Sequence, residues 1–132
     1  MALQYSVTLR NNQLNQVEGT IGTAPKLRIL TGSPPANCAS TQTGTMLVEL
    51  TLPSDWLSAA SNGQVSKVGT WSATASASGT AGYFRVYDSS GTTAHMQGTV
   101  GTSGTDMIID NTSINTGQTV TVTSFTLNAG NA

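Results

Sequence analysis

Beyond Pro25 the apolar residues of this chain recur at every second position, in short runs that end on Gly, Pro, Asn or Asp. Successive side chains of a strand point to opposite faces, so this rhythm confines most of the chain to half-buried strands joined by turns. In KLRILTGSPP (26–35), Leu27 and Ile29 face one way and Lys26 and Arg28 the other, until Gly32, Pro34 and Pro35 stop the run. A polar loop from Ser33 to Gly44 follows, with Cys38 inside it. MLVELTL (46–52) then places Met46, Val48, Leu50 and Leu52 on one side before Pro53, and Ser54-Asp55-Trp56 reads as a turn that brings Trp56 back onto the sheet.

The rest of the chain keeps the pattern. A strand near 64–71 carries Gly69 as a bulge, and SATASASGTAG (72–82) reads as a small-residue strand and turn that another backbone can approach closely. A hairpin spans Tyr83–Tyr87, a turn over Asp88–Gly91, and Thr93–Val100. DMIID (106–110) and QTVTVTSFTL (118–127) are two further strands, separated by Asn111–Gly117. Seven or eight short strands of this kind predict a mainly β fold, an antiparallel sandwich or barrel-like domain of jelly-roll type. No internal repeat is present to suggest a solenoid or propeller.

Ahead of the strands, Val7, Leu14, Val17 and Ile21 fall on one stripe at helical spacing. This predicts a single N-terminal helix over about 6–19, with Ser6 as N-cap and Gly19 or Gly22 as its stop. The whole chain, 1–132, reads as one domain, with the terminal NAGNA a frayed tail.

Composition narrows what such a domain can do. Only 8% of residues are charged, against about 25% in a typical soluble domain, and Ser, Thr, Gly and Ala take their place. The five basic residues, Arg10, Lys26, Arg28, Lys67 and Arg85, are scattered in a chain of net charge −1, so no phosphate-gripping face and no nucleic-acid partner are expected. No apolar run approaches the roughly 20 residues of a membrane-spanning helix, and MALQYSVTLRNN lacks the features of a secretory signal. Cys38 is the sole cysteine, which excludes an internal disulfide and reads as a loop or buried thiol. An extracellular-looking β composition without an export address fits a virion component, made in the cytoplasm of a host bacterium and later released.

No chemistry-bearing constellation emerges. His95 and Cys38 are single, whereas zinc needs three or four ligands. Asp106 and Asp110 share a strand face with Ile108 and could bind calcium or act as acid and base, but solvation of the strand ends is the better reading. Ser, His and Asp all occur, yet no nucleophile elbow organises them. Gly101-Thr102-Ser103-Gly104 lacks the Lys and helix of a phosphate loop, and Asn111-Thr112-Ser113 reads as a turn. The expectation is a non-enzyme without metal or cofactor. The interface candidates are Tyr83, Arg85 and Tyr87, which share one face of their strand opposite Phe84 and Val86, joined by Arg10 and Trp56. If the Phe84 face is core, the Tyr–Arg–Tyr face is exposed, and Tyr and Arg are enriched at protein interfaces. Packing against the helix and glycan binding are the alternatives.

ALQYSVTLRNNQL (2–14), IGTAPKLRILTGSPP (21–35), GTAGYFRVYDSSGTT (79–93) and MQGTVGTSGTDMIIDNTSINTGQTVTVTSFTL (96–127) together resemble a family of small structural proteins of tailed bacteriophages and prophages. The resemblance covers nearly the whole chain; its one departure is Ala24-Pro25 before Lys26, where a small or Gly residue is expected. It implies a virion structural role and supplies no catalytic residues. The expected function is a capsid decoration, or cement, protein on the outer surface of the head. Its partners would be the major capsid protein or other virion proteins and copies of itself, a trimer being natural where capsomers meet in threes. The alternative is a tail, neck or fibre component, including a glycan-binding adhesin.

Overall fold

A computed structural model describes residues 3–130. The helix α1 spans Val7–Ile21. Ser6 caps it in extended conformation and its Oγ accepts the Leu9 N–H at 3.1 Å. The helix runs through Gly19 and ends at Gly22, whose φ of +93° turns the chain away while its N–H still reaches the Glu18 carbonyl. Of the expected stripe, Leu14 and Ile21 are buried and Val17 packs at the core margin, whereas Val7 is 46% exposed.

Among the described residues nine strands follow: β1 (Lys26–Thr31), β2 (Met46–Thr51), β3 (Gln64–Ser66), β4 (Ser72–Thr74), β5 (Gly79–Tyr87), β6 (Ala94–Gly101), β7 (Met107–Ile109), β8 (Ser113–Ile114) and β9 (Thr119–Asn128). They form one sheet in the order β2-β1-β5-β6-β7-β9-β3, with β4 also on β9 and β8 also on β5. The sheet curls into a half-barrel, which bears out the mainly β, barrel-like expectation with one N-terminal helix. The segment after β4 reaches across to β2, where the Ser76 and Ala77 N–H groups both donate to the Leu47 carbonyl.

Three local expectations are corrected. The sheet is mixed rather than purely antiparallel, because β6 and β7 run parallel through Val100↔Met107 and Gly101↔Ile108. Parallel neighbours usually need a connection of about a dozen residues; here a much shorter loop suffices, since Asp106 Oδ2 accepts both the N–H and the hydroxyl of Thr99 and folds the chain back. Gly69, at φ +77°, is a break rather than a bulge: β3 pairs with residues 126–128 and β4 with 119–121, so two short strands share one edge of β9. In β2, a register slip opposite Ile29/Leu30 turns Leu47 fully inward and leaves Met46 only half-buried.

The concave face of the sheet carries the core. A chain of rings, Trp56–Trp71–Phe125–Phe84, runs through it at centroid separations of 6.1, 5.8 and 5.6 Å. Tilted and edge-on ring pairs of this kind add about 0.5–1.5 kcal/mol each beyond area burial. Both indole N–H groups are used, Trp56 Nε1 on the Gly22 carbonyl and Trp71 Nε1 on the Val68 carbonyl. The helix is anchored as much by polar contacts as by its two buried apolar residues. Along one flank Asn11 Oδ1 accepts from Gly63 N–H, Asn15 Oδ1 from Ala60 N–H, and Glu18 Oε2 from the N–H groups of Trp56 and Leu57. At the C-terminal end Ala129 N–H bonds the Gly63 carbonyl, so the tail is tied down at least that far; residues 131 and 132 of NAGNA lie outside the described residues.

Candidate functional site

Strand β5 alternates as expected, with Phe84 and Val86 in the main core and Tyr83, Arg85 and Tyr87 on the opposite face. The expectation that this second face is exposed is wrong: the three side chains are 0%, 2% and 5% exposed. The loop 33–44 between β1 and β2 folds over them. Loop backbone cannot be buried without hydrogen-bond partners, and the row of side chains supplies them. Tyr83 donates its hydroxyl to the Thr43 carbonyl and accepts the Thr43 N–H. Arg85 Nη2 donates to the Asn37 carbonyl at 3.0 Å. Gln97 on β6 donates to the Pro35 carbonyl at 2.7 Å and receives Arg85 Nε at 3.0 Å. Tyr87 donates to Gln42 Oε1 at 3.0 Å, and Leu30, paired with Tyr83 across the strands, is fully buried on this side.

Beside this buried row lies an open recess of about 330 Å³. Arg85 and Tyr87 line its inner part, Arg28 and the 91–92 turn one wall, and residues 38–42 of the loop the other. The Arg28 guanidinium sits 4.2 Å above the Tyr87 ring and reaches Glu49 Oε2 at 2.7 Å, Gln42 Oε1 and the Gly91 carbonyl. Cys38 is half-buried here with a free thiol. Arg28–Glu49 is the one ion pair among the described residues, so the Arg85 charge has neutral acceptors only: Gln97 Oε1, Tyr87 OH and Asn37 O.

The other candidates are dispersed. Trp56 is turned inward as its Ser54-Asp55 turn suggests, and at 0% exposure it belongs to the core. Arg10 is half-buried under the helix, with Nη1 on the Ala129 carbonyl and Nε buried without a hydrogen-bond partner. Asp106 and Asp110 each accept a strand N–H, from Thr99 and Thr121, and so act on backbone rather than on a ligand. Asp88 folds the β5–β6 turn: the Thr92 N–H and the Ser90 hydroxyl, with lesser help from the Thr93 N–H and the nearby His95, hold its carboxyl below the ordinary aspartate range against an opposing effect of burial. Among the described residues no three His, Cys, Asp or Glu side chains gather as metal ligands, and no helix is long and apolar enough to cross a membrane.

Sequence reasoning missed one surface. Leu3, Tyr5, Val7 and Leu9 are 49%, 37%, 46% and 45% exposed, although all four are large and apolar. They form an arm at the start of the helix. Further along the same helix, an apolar groove of about 490 Å³ opens between Leu14, Val17 and Ile21 on one side and Met96 and Leu127 on the other. Only part of the signal was present: Leu9 lies off the stripe that Val7, Leu14 and Ile21 share, whereas Leu3 and Val7 fall on its spacing and are exposed because the core begins further along the helix.

No family model, no curated protein and no solved structure matches this chain.

Proposed function

We propose that the protein is a structural subunit of a bacteriophage particle, a decoration protein that lies on the outer surface of the head lattice and stabilises it without catalysing a reaction. On this reading its partners are the major capsid protein and neighbouring copies of itself, and its working location is the virion. The observation that carries the proposal is the apolar arm at residues 3–9. Isolated exposed apolar residues are ordinary, but several gathered in one short segment suit a surface that another protein covers. Here four large hydrophobic residues, Leu3, Tyr5, Val7 and Leu9, are left exposed within seven positions of a chain with 8% charged residues. Low charge suits crowding, since it limits both desolvation on contact and repulsion between copies. Each contact needs only modest affinity when many act together on a lattice. The resemblance to small phage structural proteins supplies the particle, and the arm supplies the means of attachment. Counting this chain in purified particles by quantitative mass spectrometry tests the proposal. Many copies per particle, in fixed ratio to the major capsid protein, are expected; a handful of copies contradicts it.

A further inference from the structure

The recess beside Arg85 holds a positive charge that no acidic side chain among the described residues pairs, and we infer that it is a binding site for a small carboxylate ligand of sugar-acid type, such as a uronic acid. The site does not depend on where in a particle the protein sits. Two arginines line the recess and one of them is paired with Glu49, which leaves the charge of the other. Arg85 is 2% exposed, and a buried cation without a counter-charge is costly even when neutral acceptors surround it. Its three hydrogen bonds use three of the five guanidinium N–H donors. Arg28 likewise uses three, on Glu49, Gln42 and Gly91. Spare donors on two guanidinium groups at one opening match the two oxygens of a carboxylate.

Charge and lining narrow the ligand further. One negative charge neutralises the recess, whereas a phosphate group with about −1.5 to −2 overshoots. Ser40, Thr41, Gln42 and Thr92 around the opening present hydroxyls and an amide, groups suited to a polyhydroxylated ring. The Tyr87 ring is already covered by Arg28, so no aromatic face is open for stacking and a neutral sugar has little to hold it. At about 330 Å³ the recess lies at the small end of ligand sites, which run from about 300 to 1,000 Å³. It takes one ring, not a chain.

Glucuronate, glucose and inorganic phosphate, titrated separately at constant ionic strength, test the assignment through backbone amide shifts in two-dimensional NMR. Saturable shifts confined to residues 38–42 and 91–92 are expected with glucuronate, with glucose and phosphate weaker by about tenfold or more. Arg28→Gln, a partly exposed position whose loss leaves the core intact, is expected to weaken glucuronate by a similar factor with the melting temperature nearly unchanged. Arg85→Met is the sharper variant, but it also releases the loop, so the wild-type titration and Arg28→Gln decide. Equal responses to glucuronate and glucose, tighter binding of phosphate, shifts spread over the whole surface, or an Arg28→Gln protein with unaltered affinity would each overturn the site.

Discussion

Arg85 joins β5, β6 and the 33–44 loop through a single guanidinium, and its replacement therefore has several consequences at once. Arg85→Ala leaves the Asn37 carbonyl and the Gln97 side chain without their donors in a buried setting, which predicts a loss of about 3 kcal/mol in urea unfolding. The same change is expected to make the 33–44 loop cleavable by protease while the rest of the domain stays folded. A loss below about 0.5 kcal/mol would place Arg85 outside the fold's support. Gly82 gives a second check on the same region. A Cβ there would come within 2.0 Å of the Gly32 carbonyl oxygen, so Gly82→Ala forces β5 and the end of β1 apart and is expected to lose more than about 2 kcal/mol. Alternation alone was enough to show that Tyr83, Arg85 and Tyr87 share a face. Their burial was not legible, because the covering loop is polar and nothing in its composition marks it as a lid. It is held by carbonyl groups, which every residue possesses and no residue type announces.

At the level of elements, the helix was legible from its cap and stripe, and its mode of attachment was not. Asn11, Asn15 and Glu18 look like a solvent-facing polar flank, yet they form a row of acceptors for the N–H groups of residues 56–63. Glu18→Ala is accordingly expected to cost about 1–3 kcal/mol and to speed hydrogen exchange at the Trp56 and Leu57 amides, with Glu18→Gln closer to wild type. Unchanged exchange at those two amides would contradict this account of the helix. Asn62-Gly63 was a legible hairpin signal that went unused. Both residues have positive φ, 52° and 70°, and link Ser61 to Gln64 by two backbone hydrogen bonds. The β5–β6 turn carries a pH dependence through Asp88. Its pKa is lowered in the folded chain, so the carboxylate favours the fold at neutral pH, and that contribution disappears as pH falls through the lowered value, below the ordinary aspartate pKa of about 3.9. Amide exchange at Thr92 and Thr93 should rise on acidification and stay flat in Asp88→Asn; equal acid sensitivity in both would remove Asp88 as the cause.

Across the whole molecule, the period-two pattern and one helical stripe were sufficient for a mainly β, barrel-like fold with one helix, and their failures lie where short-range rules give way to long-range ones. The parallel pairing of β6 with β7 depends on a side-chain staple between Thr99 and Asp106, and the division of β3 from β4 depends on sharing β9. Neither is written in local periodicity. The folded domain consumes nearly all the aromatic and aliphatic residues after Pro25 in its own interior and leaves Leu3, Tyr5, Val7 and Leu9 outside it. The large hydrophobic residues left on the surface are therefore concentrated at one end.

Everything proposed about its role leans on that arm being covered in use. The decisive comparison is between the wild-type chain and Val7→Asp/Leu9→Asp, a double change that places acids at a helix start where they are tolerated. Each is incubated with heads purified from particles lacking the protein, and bound chain is quantified alongside thermal unfolding of the free domain. The expected result is saturable binding of the wild type and at least about tenfold weaker binding of the variant, with nearly equal melting temperatures. Heads that take up both proteins equally, or neither, would contradict it.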